Sequence, residues 1–190
     1  AQSFIRALSG IKTCFKHYEQ KAIVAVIQTE KPHDQTAYQR FLPEGPLAFL
    51  PLKNLYQSSI VWSCSNLTSQ ELLEENLESF EKKLAEASDH RLGSVKVLSE
   101  RLSFELKYHH AEKYIAEKVV LMGDAAHVIH PLAGLGLNLG FKDGMALIKN
   151  LIQARNQKRP LGSWQVLSHY ERERRPHNLK IGLAMTGLNN

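Results

Sequence analysis

The feature that most constrains the fold is the segment 119–143, in which an apolar strand gives way to a loop and then to a helix. Residues 119–122 are apolar and are followed by Gly123 and Asp124, and a glycine-rich loop leads to a helix predicted to begin at Asn138. A carboxylate at the end of a strand and backbone amides at the start of a helix suit a polyhydroxylated, electron-rich ligand. The segment therefore predicts a ligand site.

Three glycines recur at every fourth position of the predicted helix: Gly136, Gly140 and Gly144. Glycine inside a helix costs roughly 0.5–1 kcal/mol relative to alanine, so three in register indicate close approach of another backbone or of a flat ligand. Their spacing differs from the Gly-x-Gly-x-x-Gly dinucleotide fingerprint. The opposite face of the helix is predicted to be ordinary core, formed by Phe141, Met145, Ile148 and Ile152.

Each polar residue in this segment also has a simpler interpretation. Asp124 could cap the following turn instead of binding a ligand. His127 and His130 could bind a metal or act as a base, but no cysteine lies nearby, so structural histidines are favoured and no metal is expected. His109 and His110, at the end of a predicted strand, are weaker candidates still.

Composition narrows the class of protein. The chain has 190 residues, a formal net charge of +5 and two cysteines, Cys14 and Cys64. It has no signal peptide pattern and no long apolar run, which favours a soluble protein of a reducing cytosol. A basic cluster in the tail is interleaved with glutamates, so we favour a solvated helix face over a nucleic-acid site. Binding of this cluster to an anionic membrane surface ranks between those two interpretations. The cluster comprises Arg172, Arg174, Arg175 and Lys180.

Strand patterns joined by short connections dominate the first half of the chain and predict antiparallel pairing. The predicted strands are 21–29, 36–42, 47–52, 55–62 and a long strand after Gly93 that includes 102–109. Thr68 and Glu71 form a capping-box pattern that predicts one helix to about Ser88. A second helical pattern begins near Ser163, with Pro176 as a predicted kink or break, and has no partner element of its own in the sequence.

Three stretches together resemble the aromatic-ring flavoprotein monooxygenases related to para-hydroxybenzoate hydroxylase, especially the ubiquinone-biosynthesis hydroxylases. They are the Gly-Asp segment 123–143, the segment 39–52 (QRFLPEGPLAFLPL) and the segment 170–178 (YERERRPHN). The resemblance implies an FAD cofactor reduced by NAD(P)H and a hydroxylation reaction. It also implies flavin contacts from Gly123, Asp124, Pro131, Gly134, Leu135, Gly136, Leu137 and Asn138.

The resemblance further implies an α+β fold in three parts. Residues 1–20 would be a remnant of the FAD-binding domain, 21–115 an antiparallel-sheet substrate domain with helices on one side, and 116–190 the strand-loop-helix part of the FAD-binding domain with C-terminal helices. The family's amino-terminal dinucleotide fold has no counterpart here. We therefore expect the carboxyl-terminal part of a hydroxylase, inactive and without bound FAD when alone.

By the same resemblance, the substrate of the intact enzyme would be a polyprenylated phenol or quinol. Phe49, Leu50 and Pro51 are candidates for the pocket lining, and no catalytic base can be assigned. The expected location is cytoplasmic, where the protein could contact other ubiquinone-biosynthesis proteins or the surface of the inner membrane. Nucleic acid is not an expected partner. Two rival functions stay open: a non-enzymatic binding module, and a flavin-dependent reductase such as the geranylgeranyl reductases.

Overall fold

The chain divides into two compact units in a computed structural model that describes residues 3–130 and 134–188. Unit 1 combines residues 1–18 with 107–190, and unit 2 comprises residues 19–106. The sequence-based boundaries lie at residues 20 and 115. In both descriptions, the part that contains Gly123 and Asp124 includes the two ends of the chain.

The described residues form helices and strands in mixed order. The helices are α1 (Phe4–Leu8), α2 (Asn66–Glu74), α3 (Leu77–Ala87), α4 (Gly136–Asn156) and α5 (Trp164–Leu188). The strands are β1 (Thr13–Thr29), β2 (Tyr38–Leu42), β3 (Gly45–Pro51), β4 (Gln57–Ser65), β5 (Val95–Val97), β6 (Leu102–Ala111), β7 (Ile115–Ala116), β8 (Val119–Val120) and β9 (His127–Val128). This is the predicted α+β class.

Unit 2 is an antiparallel sheet with helices on one face, as predicted. Its strand order is β2-β3-β4-β1, and β5 pairs with the end of β1. Alternate residues of β1, β3 and β4 pack against α2 and α3, because successive side chains of a strand point to opposite faces. The resulting core includes Ile23, Ile27, Leu47, Phe49, Ile60, Trp62, Leu72, Phe80 and Leu84.

Two local predictions in the sequence were wrong. The predicted helix from Thr68 to Ser88 is two helices, because Ser65 accepts a hydrogen bond from the Thr68 amide and Asn76 then caps α3. The apolar stretch 119–122 is only a two-residue strand, β8, which pairs with β7. The caps at Ser65 and Asn76 divide the helical segment in two. The pairing of β8 with β7 makes a short hairpin. The hydrophobic pattern of the sequence reveals neither feature.

Unit 1 contains the first residues of β1 and the last residues of β6. It also contains β9, which pairs with β6. Helix α5 begins at Trp164 and continues through Pro176, so the proline does not break it. It packs against α4, which gives the tail the partner that the sequence did not show. The core of this unit includes Ala111, Tyr114, Ile115, Leu121, Ala146, Leu167 and Tyr170. No helix within residues 3–130 and 134–188 has the length and apolarity needed to cross a bilayer.

The prediction that one face of α4 is ordinary core was wrong for the residues that the structure describes. Phe141, Met145, Ile148 and Ile152 are 64%, 71%, 58% and 55% exposed, respectively. The buried residues of α4 lie on its other side and include Leu139 and Ala146. The apolar spacing was correct, but no described segment covers that face.

We expect the substitution Gly45→Ala to destabilise unit 2. Gly45 has φ 146°, and a methyl group there would lie 2.6 Å from the Ser63 carbonyl oxygen. Backbone strain of this kind costs about 1–3 kcal/mol, which urea unfolding followed by circular dichroism would measure. Gly187→Ala is the control, since a methyl group added to Gly187 would meet no described atom within 4 Å outside its own helix backbone. This substitution should be neutral or slightly stabilising. Equal effects of the two substitutions would contradict this interpretation.

Candidate functional site

A buried carboxylate organises the segment that the sequence singled out. Asp143, in α4, is fully buried and accepts four hydrogen bonds. Its Oδ2 accepts from His127 Nε2 at 2.7 Å and from the Gly123 amide at 3.0 Å. Its Oδ1 accepts from Arg174 Nε at 2.8 Å and from Asn178 Nδ2 at 2.9 Å. One side chain thus connects α4 to α5, to β9 and to the turn after β8.

The charge of Asp143 is maintained by these contacts. Burial alone would raise the pKa of its carboxyl, but the hydrogen bonds from His127, Asn178, Arg174 and Gly123 lower the pKa to about 2. A charge removed from water must be paired and hydrogen-bonded, and both oxygens meet that requirement here. The carboxylate is therefore ionised at neutral pH, and its hydrogen bonds join groups inside the protein.

The network continues through side chains that no pattern in the sequence connects. Asn178 Nδ2 donates to the Tyr114 hydroxyl at 3.3 Å, and that hydroxyl lies 3.0 Å from His110 Nε2. Tyr170 donates to the Leu121 carbonyl at 2.9 Å. Arg174, predicted to lie on a solvated face, is instead 7% exposed. Its neighbour Arg172 is exposed, as predicted.

The turn at Gly123 is held against α4. Gly123 has φ +54°, a conformation that glycine adopts without a steric penalty. A methyl group on Gly140 would lie 3.4 Å from the Gly123 Cα, and one on Gly144 would lie 3.2 Å from Met122 Cε. The close backbone approach predicted from the glycine spacing is therefore found at Gly140. A methyl group added to Gly136 would meet no described atom within 4 Å outside its own helix backbone.

Asp124 differs from Asp143 in its surroundings. It lies in the 3-10 turn Gly123–Ala125, and its side chain is exposed. Its backbone carbonyl is 2.9 Å from His109 Nε2, and Arg6 donates to the Ala125 carbonyl at 2.8 Å. No hydrogen bond from residues 3–130 or 134–188 reaches the Asp124 carboxylate. The turn is thus fixed through its backbone, and the carboxylate is left available.

The amino terminus of α4 lies one helical turn before Gly140. The helix begins at Gly136 and not at the predicted Asn138, and no side chain caps it among the residues described. Gly134 has φ +60°, and the exposed residues here include Leu137 and Asn138. The partial positive charge of a helix amino terminus favours an electron-rich partner. Leu135 is the residue before the helix, and Pro131 lies outside the described residues.

The predicted substrate-lining residues lie on different faces of the sheet in unit 2. Phe49 belongs to the core beneath the helices, whereas Leu50 is 41% exposed on the other face. Pro51, at the end of β3, pairs with Ser58. The register places Val24, Val61 and Ala48 side by side on the face with Leu50. Strict alternation along β1 and β4 could have identified this partly exposed apolar row.

The histidines of unit 1 have structural surroundings. Burial lowers the pKa of His109, His110 and His130 from 6.5 to about 4, and His127 donates to Asp143. Within residues 3–130 and 134–188, no group of three or more histidine, cysteine or acidic side chains could hold a metal ion. His109, His110 and His130 are therefore neutral at pH 7.

We expect Asp143→Asn to lower the free energy of unfolding by about 3–5 kcal/mol, because it leaves the Arg174 guanidinium buried without its counter-charge. Urea unfolding monitored by circular dichroism measures the loss. Asp124→Asn is the matched control, since that carboxylate is exposed, and it should change stability by no more than about 0.5 kcal/mol. A mild effect at Asp143 would contradict the assigned role of the network.

We also expect stability to fall as the pH is lowered from about 6.5 to 4. In that range the unfolded chain protonates His109, His110 and His130, whereas the folded chain keeps them neutral until about pH 4. Between 3.8 and about 2, protonation of Asp143 removes further stability. Thermal unfolding should show the decline, and His130→Gln should make it shallower. An unchanged slope in that variant would contradict the assignment.

The sequence of the chain is similar to known proteins over nearly its whole length. Residues 2–181 match the family described as FAD binding domain. The mitochondrial ubiquinone biosynthesis monooxygenase COQ6 of Danio rerio is 37% identical over 96% of this chain and 45% of its own length. The 3-demethoxyubiquinol 3-hydroxylase of Escherichia coli is 36% identical over 97% of this chain and 47% of its own length. The chain thus spans about half the length of these relatives.

Solved structures show the same fold at lower identity. The Pseudomonas aeruginosa protein PqsL superposes with a TM-score of 0.81 at 24% identity, over 100% of this chain and 53% of its own. The p-nitrophenol 4-monooxygenase PnpA of Pseudomonas putida gives a TM-score of 0.71 at 18% identity, over 98% of this chain and 47% of its own. Because the family match covers nearly the whole sequence, the chain belongs to the FAD binding domain family.

Proposed function

We propose that this chain supplies the flavin-ring side and the substrate wall of an FAD-dependent hydroxylase that acts on a polyprenylated phenol or quinol of ubiquinone biosynthesis. The observation that carries the proposal is the difference in surroundings between two aspartates, Asp143 and Asp124. The Asp143 carboxylate accepts four hydrogen bonds within the protein, one of them from the Gly123 amide. The Asp124 carboxylate receives no hydrogen bond from the described residues. The Danio rerio relative is named a ubiquinone biosynthesis monooxygenase, and the Escherichia coli relative is named a 3-demethoxyubiquinol 3-hydroxylase.

The available groups fit the middle of an FAD molecule. The Asp124 carboxyl oxygens would accept hydrogen bonds from the ribityl hydroxyls, which can donate them. The amides around Gly134–Asn138, at the uncapped start of α4, would face the electron-rich edge of the ring. Pro131 would border the ring, as the family resemblance implies. When bound and reduced by NAD(P)H, FAD would supply the activation of oxygen.

The sheet of unit 2 offers a suitable surface for an apolar substrate. Its face opposite the helices presents Val24, Ala48 and Val61 in one row, and Leu50 lies in the next row, opposite Ser59. These side chains are at least partly exposed. An apolar wall with few charges would favour the isoprenoid and ring carbons over water. Phe49 supports this wall from the core side.

We expect the chain alone to bind FAD weakly or not at all and to be inactive, because it spans only about half of its relatives. Gel filtration with micromolar protein, followed by absorbance of the protein peak, tests this expectation. Flavin that stays with the isolated chain would contradict it.

Within a protein that also contains the other half of the fold, Asp124→Ala should weaken FAD retention about tenfold or more, since hydrogen bonds to a charged group contribute about 1.5–3 kcal/mol. Asp89→Ala is the control, because Asp89 is also exposed but lies in unit 2. Product analysis with a phenolic lipid under oxygen should then show a hydroxylated ring. A reduced isoprenoid chain would support a reductase, and intact lipid with no flavin bound would support a non-enzymatic module.

A further inference from the structure

A cavity opens in unit 2 between the edge strand β2 and the turn that follows α3. Its volume is about 520 Å³, which is within the range of about 300–1,000 Å³ that is typical of small-molecule sites. All of the residues that line it lie within 19–106, so the cavity belongs to one compact unit. The lining indicates what kind of small molecule would fit.

The buried part of the lining, here called the floor, is apolar. It is formed by Leu47, Phe49 and Leu92, which are 1%, 4% and 4% exposed. Phe49 belongs to the core on the helix-covered face of the sheet, whereas Leu50 lies on the opposite face. The cavity is therefore on the other side of the sheet from the apolar row proposed as the substrate wall.

The outer part of the lining, here called the rim, is basic. Lys31, Arg40 and Arg91 are exposed there, and Asp89 is the acidic residue among the described residues of the lining. Arg40 Nη1 lies 3.8 Å from the Asp89 carboxylate and donates to the Ala87 carbonyl, at the end of α3, at 3.2 Å. Arg40 thus offsets both the acidic residue and the partial negative charge of the helix carboxyl terminus.

Lys31 and Arg91 keep their positive charges available to a ligand. In the part of the chain that the structure describes, no carboxylate oxygen lies within 4.0 Å of either side-chain nitrogen group. The Glu30 carboxylate accepts instead from the amide and the hydroxyl of Ser94, each at 2.9 Å. Arg91 Cζ lies 5.0 Å from the centre of the Tyr38 ring, and this cation–π contact positions the guanidinium without neutralising it.

We propose that this cavity binds a small organic phosphate monoester, with the phosphate at Lys31 and Arg91 and an apolar ring or chain against the floor. A phosphate monoester carries a charge of about −1.5 to −2 at pH 7, which matches the two cations. The guanidinium group can donate two parallel hydrogen bonds to phosphate oxygens. Release of water from the floor adds affinity for the apolar part.

Two sources of this chemistry are a free phosphate ester and the headgroup of a lipid such as phosphatidic acid. Either would enter from the open side of the cavity, where the rim is exposed. The site uses none of the residues assigned to the flavin or to the substrate wall apart from Phe49, which contributes its core side. The proposal therefore stands or falls separately from the proposed function.

An NMR titration of the full chain with phenyl phosphate tests the proposal. The labelled methyl groups of Leu47 and Leu92 should shift and reach saturation with a Kd of about 1 mM or lower, whereas those of Leu67, 76% exposed in α2, should not move. Inorganic phosphate lacks the apolar body and phenol lacks the charge, so each should bind at least about fivefold more weakly.

Substitution of the two cations provides the second measurement. Lys31→Gln combined with Arg91→Gln should raise the Kd for phenyl phosphate about tenfold or more, since hydrogen bonds to charged groups are lost. Lys82→Gln combined with Lys96→Gln is the matched control, because both lysines are exposed in unit 2 outside the lining and the change in net charge is the same. The control should stay within about twofold of the unsubstituted chain, as expected for screened surface charges. Circular dichroism checks that each variant is folded.

Vesicle flotation distinguishes the two sources. Phosphatidic acid presents a phosphate monoester, whereas phosphatidylglycerol presents a diester. Retention on phosphatidic acid vesicles that the double substitution at Lys31 and Arg91 abolishes would assign the site to a lipid headgroup. Binding of phenyl phosphate without retention on vesicles would assign it to a free ester.

Four results would overturn the proposal. They are unshifted Leu47 and Leu92 methyl groups at ten times the expected Kd, equal affinity for inorganic phosphate, equal effects of the double substitution and its control, and equal retention on the two kinds of vesicle. The last result would show that the rim responds to negative surface charge and does not recognise a monoester.

Discussion

A single buried carboxylate holds together the part of the chain that carries the candidate site. Asp143 bonds to α5 through Arg174 and Asn178, to β9 through His127 and to the turn after β8 through Gly123. Burying an unpaired charge would be prohibitively costly, so all four partners must be present together. The position of the Gly123 turn against the start of α4 therefore depends on residues far away in the sequence.

This arrangement gives two aspartates in one segment different tasks. Asp143 has a pKa of about 2 because its hydrogen bonds outweigh the effect of burial, and its lone pairs are used within the protein. Asp124 is exposed, and its turn is held through backbone carbonyls by His109 and Arg6. The interior carboxylate fixes the geometry, and the exposed one is available to a ligand.

Local patterns in the sequence were reliable where the local chain decides the structure. Alternation of apolar residues and short connections predicted the antiparallel sheet of unit 2, and the spacing of Gly140 predicted a close backbone contact. Predictions failed where a distant or competing group decides the structure. Ser65 capped α2 ahead of Thr68, and Arg174, placed between glutamates, appeared to belong to a solvated face but is buried against Asp143.

The sequence by itself determined the strand-turn-helix order around Asp124, the glycine contact surface and the family, because these depend on residue types at fixed short spacings. Only the tertiary structure decided that Asp143, Arg174 and Asn178 form one network. More than thirty residues of chain separate Asp143 in α4 from the other two residues in α5. It also decided which apolar face of α4 is covered. The residues of both faces recur with the same helical periodicity. This periodicity indicates that a face is apolar, but it does not indicate which segment packs against that face.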